Sequence, residues 1–484
     1  MDDWIIGCVW DNELMLRPED SKFTSIRHIL MLAGPLVLSH FSFMFMNLVD
    51  GLFLARYDQN AIAAIGPAGM TFWLIIGLFI GLCGYTGTFV AQYVGAKRLE
   101  RVGAAVWQGM YLALVSGLLI AVCTPLTVNV FSWTGHHPDV ARLEATYFQI
   151  MSWGACGFLL SSALSGFFAG RNDNVTLMVV HLTGAALNAL LDWLLVFGIA
   201  GFPEMGIAGA AWATVIAHIF IVLAFLILFL RKKHQQAFGT WADRSLDMAL
   251  MIRLCRFGLP SGVRLVIEIL AWTLFLMILG RTDPTSLAAS NIVWRLNGVA
   301  FFPIIGLSVA ISMLVGQAQG ADRPDQSERI MWRGLWISQV WMTAIAAMFV
   351  IIPQTLIAPF LNAEKLDPAA YDQLMFLSVV LLRFVALYCL MDGLNIILIR
   401  SIAGGRRHPL DHDHLDGGPS ALCPGTAGDR LPAGDVYVFW SAATVFVMSI
   451  ALLWVFRVRS GKWKPMRVIE QVPIELEPAT PTSG

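Results

Sequence analysis

"VAQYVGAKR" (90–98) and "VGQAQGADR" (315–323) share spacing and most of their chemistry, and they lie 225 residues apart. The same shift sets Pro35 on Pro260, "AA" at 63–64 on "AA" at 288–289, and Gly81-Leu82 on Gly306-Leu307. No gap is needed over more than sixty positions. A register that long marks two homologous halves.

The solvent of those halves follows from composition. Of 484 residues, 57% are hydrophobic and only 13% charged, where a soluble domain carries about a quarter charged. Mean hydropathy is +0.68. Eleven apolar stretches stand out, at roughly 28–54, 68–94, 104–131, 145–168, 175–199, 207–230, 258–280, 287–314, 334–361, 371–402 and 436–458. Each is near the ~20 residues that cross a hydrocarbon core. The fold class is therefore an all-α polytopic membrane protein. A net charge of −1 gives no field for nucleic acid. Residues 1–27 are polar and mixed in charge, and read as a tail rather than a signal peptide. The cysteines (Cys8, Cys83, Cys123, Cys156, Cys255, Cys389, Cys423) have no paired spacing and read as apolar fillers.

Lys and Arg in alternate loops set the orientation. One set carries thirteen, from Lys97 to Arg333, and the other only Arg56, Arg142, Arg281 and Lys365. The first set, with the N-terminus, is expected in the cytoplasm. The tail after the last span is also basic (Arg457, Arg459, Lys462, Lys464, Arg467). Eleven crossings would put it outside, so one span is missing. Six spans per half, an even number, keep both repeats in the same topology about an axis along the membrane normal.

The gap falls at 404–435, "GGRRHPLDHDHLDGGPSALCPGTAGDRLPAGD", which cannot cross a bilayer. His408, His412 and His414 tempt a metal reading. Their spacing supports no closed site, and we reject it. Compensating frameshifts near codons 404 and 435 would restore the lost span, which sequencing the gene would test.

Four acids lie inside apolar spans: Asp50 ("MNLVDGLF"), Asp192 ("NALLDWLL"), Glu268 ("LVIEILAW") and Asp392 ("CLMDGLNI"). Each costs about 2.5–3.5 kcal/mol on insertion scales, which makes it a functional candidate by default. The plain alternative is a structural pair with Arg264, Arg295, Arg383 or Arg400. Asn188 and Asp192 are four apart and share a helical face. A carboxylate beside an amide oxygen suits a hard cation or a shared proton. Clustered Asp50 and Asp192 would hold a proton and release it when a cation arrives. His40, His181 and His218 also fall in spans and read as packing residues. Pro35, Pro260 and Pro303 would kink their helices, and Pro35 and Pro260 are candidate hinges.

Taken together, "GPLVLSHFSFMFMNLVDGLFLA", "AIAAIG", "VAQYVGAKR", "FFAGRND", "GIAGAAWAT", "GLPSG" followed by Glu268, and "GLSVAISMLVGQAQGA" resemble the MATE family, the multidrug and toxic compound extrusion transporters. The resemblance covers 28–403 and resumes from 436. It implies twelve helices in two six-helix lobes: an N-lobe at 28–230, a linker at 231–255, a C-lobe at 256–458 and a tail at 459–484. It implies export of organic cations in exchange for H⁺ or Na⁺ from the inner membrane, without a cofactor, by a monomer with both termini cytoplasmic. By motif position Asp50, Asn188, Asp192 and Thr214 resemble the N-lobe cation site, and Glu268 and Asp392 resemble C-lobe acids. The 404–435 stretch departs from the family's eleventh helix.

No G-x-x-x-x-G-K-[ST] loop is present, so ATP is not the direct energy source. A lipid-linked oligosaccharide flippase of the same fold is the nearest rival, and would call for a strongly cationic central cavity. An enzyme would need a nucleophile–base pair or a metal triad, and the sequence offers neither outside the rejected histidine tract.

Overall fold

The computed structural model describes residues 20, 22–133, 136–282, 284–361, 367–403, 436–461, 463 and 467–470. Among these residues the chain is helical, with no strand. The first half runs α1 (Ile26–Tyr57), α2 (Gln59–Gly84), α3 (Thr86–Gly95), α4 (Glu100–Thr127), α5 (Pro138–Trp153), α6 (Ala155–Gly170), α7 (Asn174–Phe197), α8 (Ile207–Phe229) and a short α9 (Lys232–Phe238). The second runs α10 (Met248–Thr282), α11 (Pro284–Gly320), α12 (Pro324–Ile351), a short α13 (Pro353–Ile357), α14 (Pro368–Ala403) and α15 (Val436–Arg459). Ten of the described helices are long and apolar enough to span, or eleven if the bent pair α5–α6 counts as one. This is the multi-pass membrane protein that the apolar stretches imply.

Helix ends follow local chemistry. Ser25 accepts from the His28 amide, Asp58 from Ala61 and Asp173 from Thr176, each satisfying a donor that the first turn leaves free. Pro35 and Pro260 lie inside continuous α1 and α10. Among the described spans the break beyond 40° is at Gly154, where α5 and α6 meet at 45°.

The duplicated stretches adopt the same turn twice. Lys97 and Asp322 both take left-handed backbone, φ 59° and 60°. Arg98 N–H donates to Tyr93 O at 2.9 Å, and Arg323 N–H to Ala318 O at 2.9 Å, a helix-closing pattern in both halves. The seam between the halves repeats as well. Helix α1 packs on α11, and α2 on α10. A Cβ at Gly81 would fall 2.5 Å from Gly262 Cα, and one at Gly306 would fall 2.7 Å from Val37 Cα. Lower down, a Cβ at Gly95 would overlap the Gln317 carbonyl, and one at Gly320 the Gln92 carbonyl. Every partner in these pairs sits 225 positions from its counterpart. Backbones touch at four points because side chains are absent there, as in small-residue helix packing in membranes.

The match between the halves is incomplete: the α5–α6 break has no equivalent in the unbroken α14. In the first half α7 packs against α1 and α8. Its counterpart falls in 404–435, which, with the frameshift reading and His408, His412 and His414, lies outside the described residues. In the most apolar window of α1, 39% of residues are buried, against 11% in its counterpart α10.

On the face holding the 97–101 and 321–323 turns, the tail crosses both halves. Val468 and Ile469 are buried, and Val468 N–H donates to Gln92 Oε1 at 2.8 Å. The Glu470 carboxylate accepts from Tyr93 (2.9 Å), Arg98 (3.3 Å), Arg101 (3.3 Å) and Arg253. Arg467 pairs with Asp322.

Candidate coupling site and central cavity

Asp50 on α1, Asn188 and Asp192 on α7, and Thr214 on α8 converge in the first half and are all buried. The contact arises because α7 packs against both α1 and α8, and Asn188 and Asp192 lie one turn apart on the face turned toward them. Asn188 Nδ2 donates to Thr214 Oγ1 at 3.3 Å. Thr214 Oγ1 lies 3.3 Å from Asp50 Oδ2 and 3.1 Å from its own helix's Ala210 carbonyl, and its single proton serves one or the other. The Asp50 and Asp192 carboxyls meet within hydrogen-bonding reach.

Four acceptor oxygens in this cluster have no donor: Asp50 Oδ1, both oxygens of Asp192, and Asn188 Oδ1. Among the described residues no arginine or lysine pairs with them. Two buried carboxyls in contact are tolerable only with a proton between them or a cation among them. An all-oxygen set of two carboxyls, an amide and a hydroxyl fits either H⁺ or a hard cation such as Na⁺. Tyr147 on α5 lies within electrostatic range of both carboxyls. No spacing in the sequence marked it.

The second-half acids behave differently. Glu268 is exposed and accepts from Arg264 Nη1 at 3.1 Å, an i,i+4 pair on α10. The structural pairing weighed for these acids is therefore present at Glu268. Asp392 on α14 is half-buried within electrostatic range of Glu268.

Between the halves lies a cavity of about 420 Å³, in the range of drug-sized sites. Its described lining holds Arg264 and Arg400, the three histidines His40, His181 and His218, several serines and a set of aromatics, but no Asp or Glu. The coupling cluster lies behind this wall. His218 follows Thr214 by one turn, and its Nδ1 donates to the Thr214 carbonyl at 2.9 Å. Phe158 stacks on its ring at 3.7 Å. The histidines read as packing residues from sequence thus line the cavity. They come from α1, α7 and α8, so no spacing joins them.

The MatE family profile matches residues 35–194 and 260–404, more than half of the chain and both halves of the repeat. The chain belongs to the MATE family. The probable multidrug resistance protein NorM of Pseudomonas putida is 27% identical over 468 residues, covering 94% of this MATE chain and 98% of the relative. The protein of the same name from Thermotoga maritima is 25% identical, covering 70% and 73%. A solved structure described as the outward-facing conformation of a multidrug resistance MATE family transporter superposes with a TM-score of 0.77 at 19% identity. It covers 94% of this chain and 98% of that one, and at that identity the likeness is one of fold. As a MATE protein this chain is a transporter of the multidrug-efflux kind and not an enzyme.

Proposed function

We propose that this protein exports small organic molecules from the inner membrane by alternating access between its halves, in exchange for H⁺ or Na⁺ bound at Asp50, Asn188, Asp192 and Thr214. The carrying observation is the four buried, donorless oxygens of that cluster, which bring a cation binder into a dry interior. The site sits one helical turn from the cavity wall at His218, close enough for its occupancy to bias how the wall packs. Glu268 and Asp392 are secondary candidates, since Glu268 already has a cationic partner. The basic loops place both termini in the cytoplasm on this reading, and the transporter works as a monomer.

The exported molecule is an organic cation on the family resemblance. The arginines on the cavity wall speak against that. A cationic cavity is also what a lipid-linked oligosaccharide flippase would show. A volume of about 420 Å³ suits a drug-sized guest instead, and the matched relatives carry multidrug names.

The test is a toxic-compound panel in an efflux-deficient host, together with efflux from membrane vesicles under separately imposed pH and Na⁺ gradients. Wild type should raise resistance. Asp50→Asn and Asp192→Asn, present in the membrane at wild-type levels, should fall to the host's baseline. One gradient and not the other should drive efflux. Undiminished efflux from both variants would sink the coupling assignment.

A further inference from the structure

We propose that the central cavity is built for an organic anion, an aromatic molecule carrying a carboxylate or sulfonate, with Arg400 as its principal charge partner. The inference rests on the exporter reading above and names its substrate class.

The charge on the cavity wall carries it. Among the described lining residues every formally charged side chain is an arginine, and the four acids of the spans all lie elsewhere. Glu268 offsets one of the two charges, because it holds Arg264 at 3.1 Å. Nothing comparable holds Arg400. It is half-buried, is repelled by Arg264 and attracted at a distance by Glu268, and has no carboxylate hydrogen-bonded to it among the described residues. An enclosed guanidinium without a carboxylate in contact is costly, and its planar fork of donors matches a carboxylate or sulfonate.

The remaining lining fits the same guest. His40 and His218 each give Nδ1–H to the carbonyl four residues back, Leu36 and Thr214. In that tautomer each Nε2 is an acceptor, which offers a guest's hydroxyl or N–H a partner and adds nothing to the hold on its anionic group. An aromatic body has a platform: Phe43 meets Trp73 edge-on at 5.3 Å, and Trp73 meets Phe158 at 6.4 Å. A cationic guest would find these rings but no carboxylate, and would face two arginines.

The experiment measures binding to purified full-length protein in lipid nanodiscs, by fluorescence polarisation, with two probes sharing a xanthene core: anionic fluorescein and cationic rhodamine 6G. Wild type should bind fluorescein at least about tenfold more tightly than rhodamine 6G, the scale of a charge-assisted pair. Arg400→Gln should lose about tenfold in fluorescein affinity, and Arg400→Lys should keep part of it. Equal or tighter rhodamine 6G binding by wild type overturns the proposal, even if no Arg400 variant folds. So does an Arg400→Gln protein of wild-type thermal stability that binds fluorescein unchanged. The nanodisc assay needs no ion gradient, so wild-type protein separates the two readings: tight fluorescein binding without gradient-driven efflux in vesicles bears on the exporter reading alone.

Discussion

At residue scale, the decisive feature is Asp192, whose two carboxylate oxygens are buried without a donor. The sequence made it legible because a carboxylate inside an apolar run needs a reason, and the same argument reached Asp50. Asn188 followed from helical spacing. Thr214 did not, since a threonine in a membrane helix is unremarkable and only the family motif singled it out. Its hydroxyl nevertheless joins Asn188 to Asp50. Thr214→Val should leave the Asn188 amide and an Asp50 oxygen short of a partner, at about 1–3 kcal/mol. Thermal unfolding with and without the coupling ion should show both a lower midpoint and a smaller ion-dependent rise. The cavity histidines were beyond the sequence for a different reason: their meeting is made by three helices, and no local pattern records it. Arg171 is the opposite case. It lies in a quoted motif, yet it is buried against Asp173 at 3.0 Å and over the Phe167 and Phe238 rings at 4.2 and 4.7 Å, a structural role.

At element scale, the repeat predicted the architecture more closely than any single helix assignment. The eleven apolar stretches became ten long helices and one bent pair, because hydropathy sees length and cannot see a 45° break at a glycine. The expected hinge prolines sit within unbroken helices. What the 225-residue register could not disclose is which helices touch. The cross-pairing of α1 with α11 and α2 with α10 emerges only when the halves face each other. Gly262 tests it, since a Cβ there would overlap the Leu78 carbonyl, which is backbone and cannot rotate away. Gly262→Ala should force α2 and α10 apart and cost about 1–3 kcal/mol, read as a lower thermal midpoint. Gly34→Ala, on α1 with nothing within 4 Å of the added carbon, should leave that midpoint near wild type.

At the scale of the whole molecule, the tail segment ties the two halves at one face. Burial alone would push the Glu470 carboxyl up, but hydrogen bonds from Arg253 and Tyr93 outweigh it and hold it at about 2, below its ordinary 4.5. The sign follows: this contribution is complete above pH 4.5 and fades as the pH falls through 2. Glu470→Gln should therefore raise the accessibility of a cysteine placed at Val468, and the wild-type accessibility should stay level between pH 5 and 8.

Arg98, Arg101 and Glu470 are each about a quarter to a third exposed, so mobile ions reach them. A fastening of this kind answers to potassium chloride and ignores acidity. On the coupling proposed at Asp50 and Asp192, a proton bound there would not also unbuckle the opposite end by the same titration. Opening there would then be mechanical, the halves tilting against a strap whose grip the surrounding salt sets.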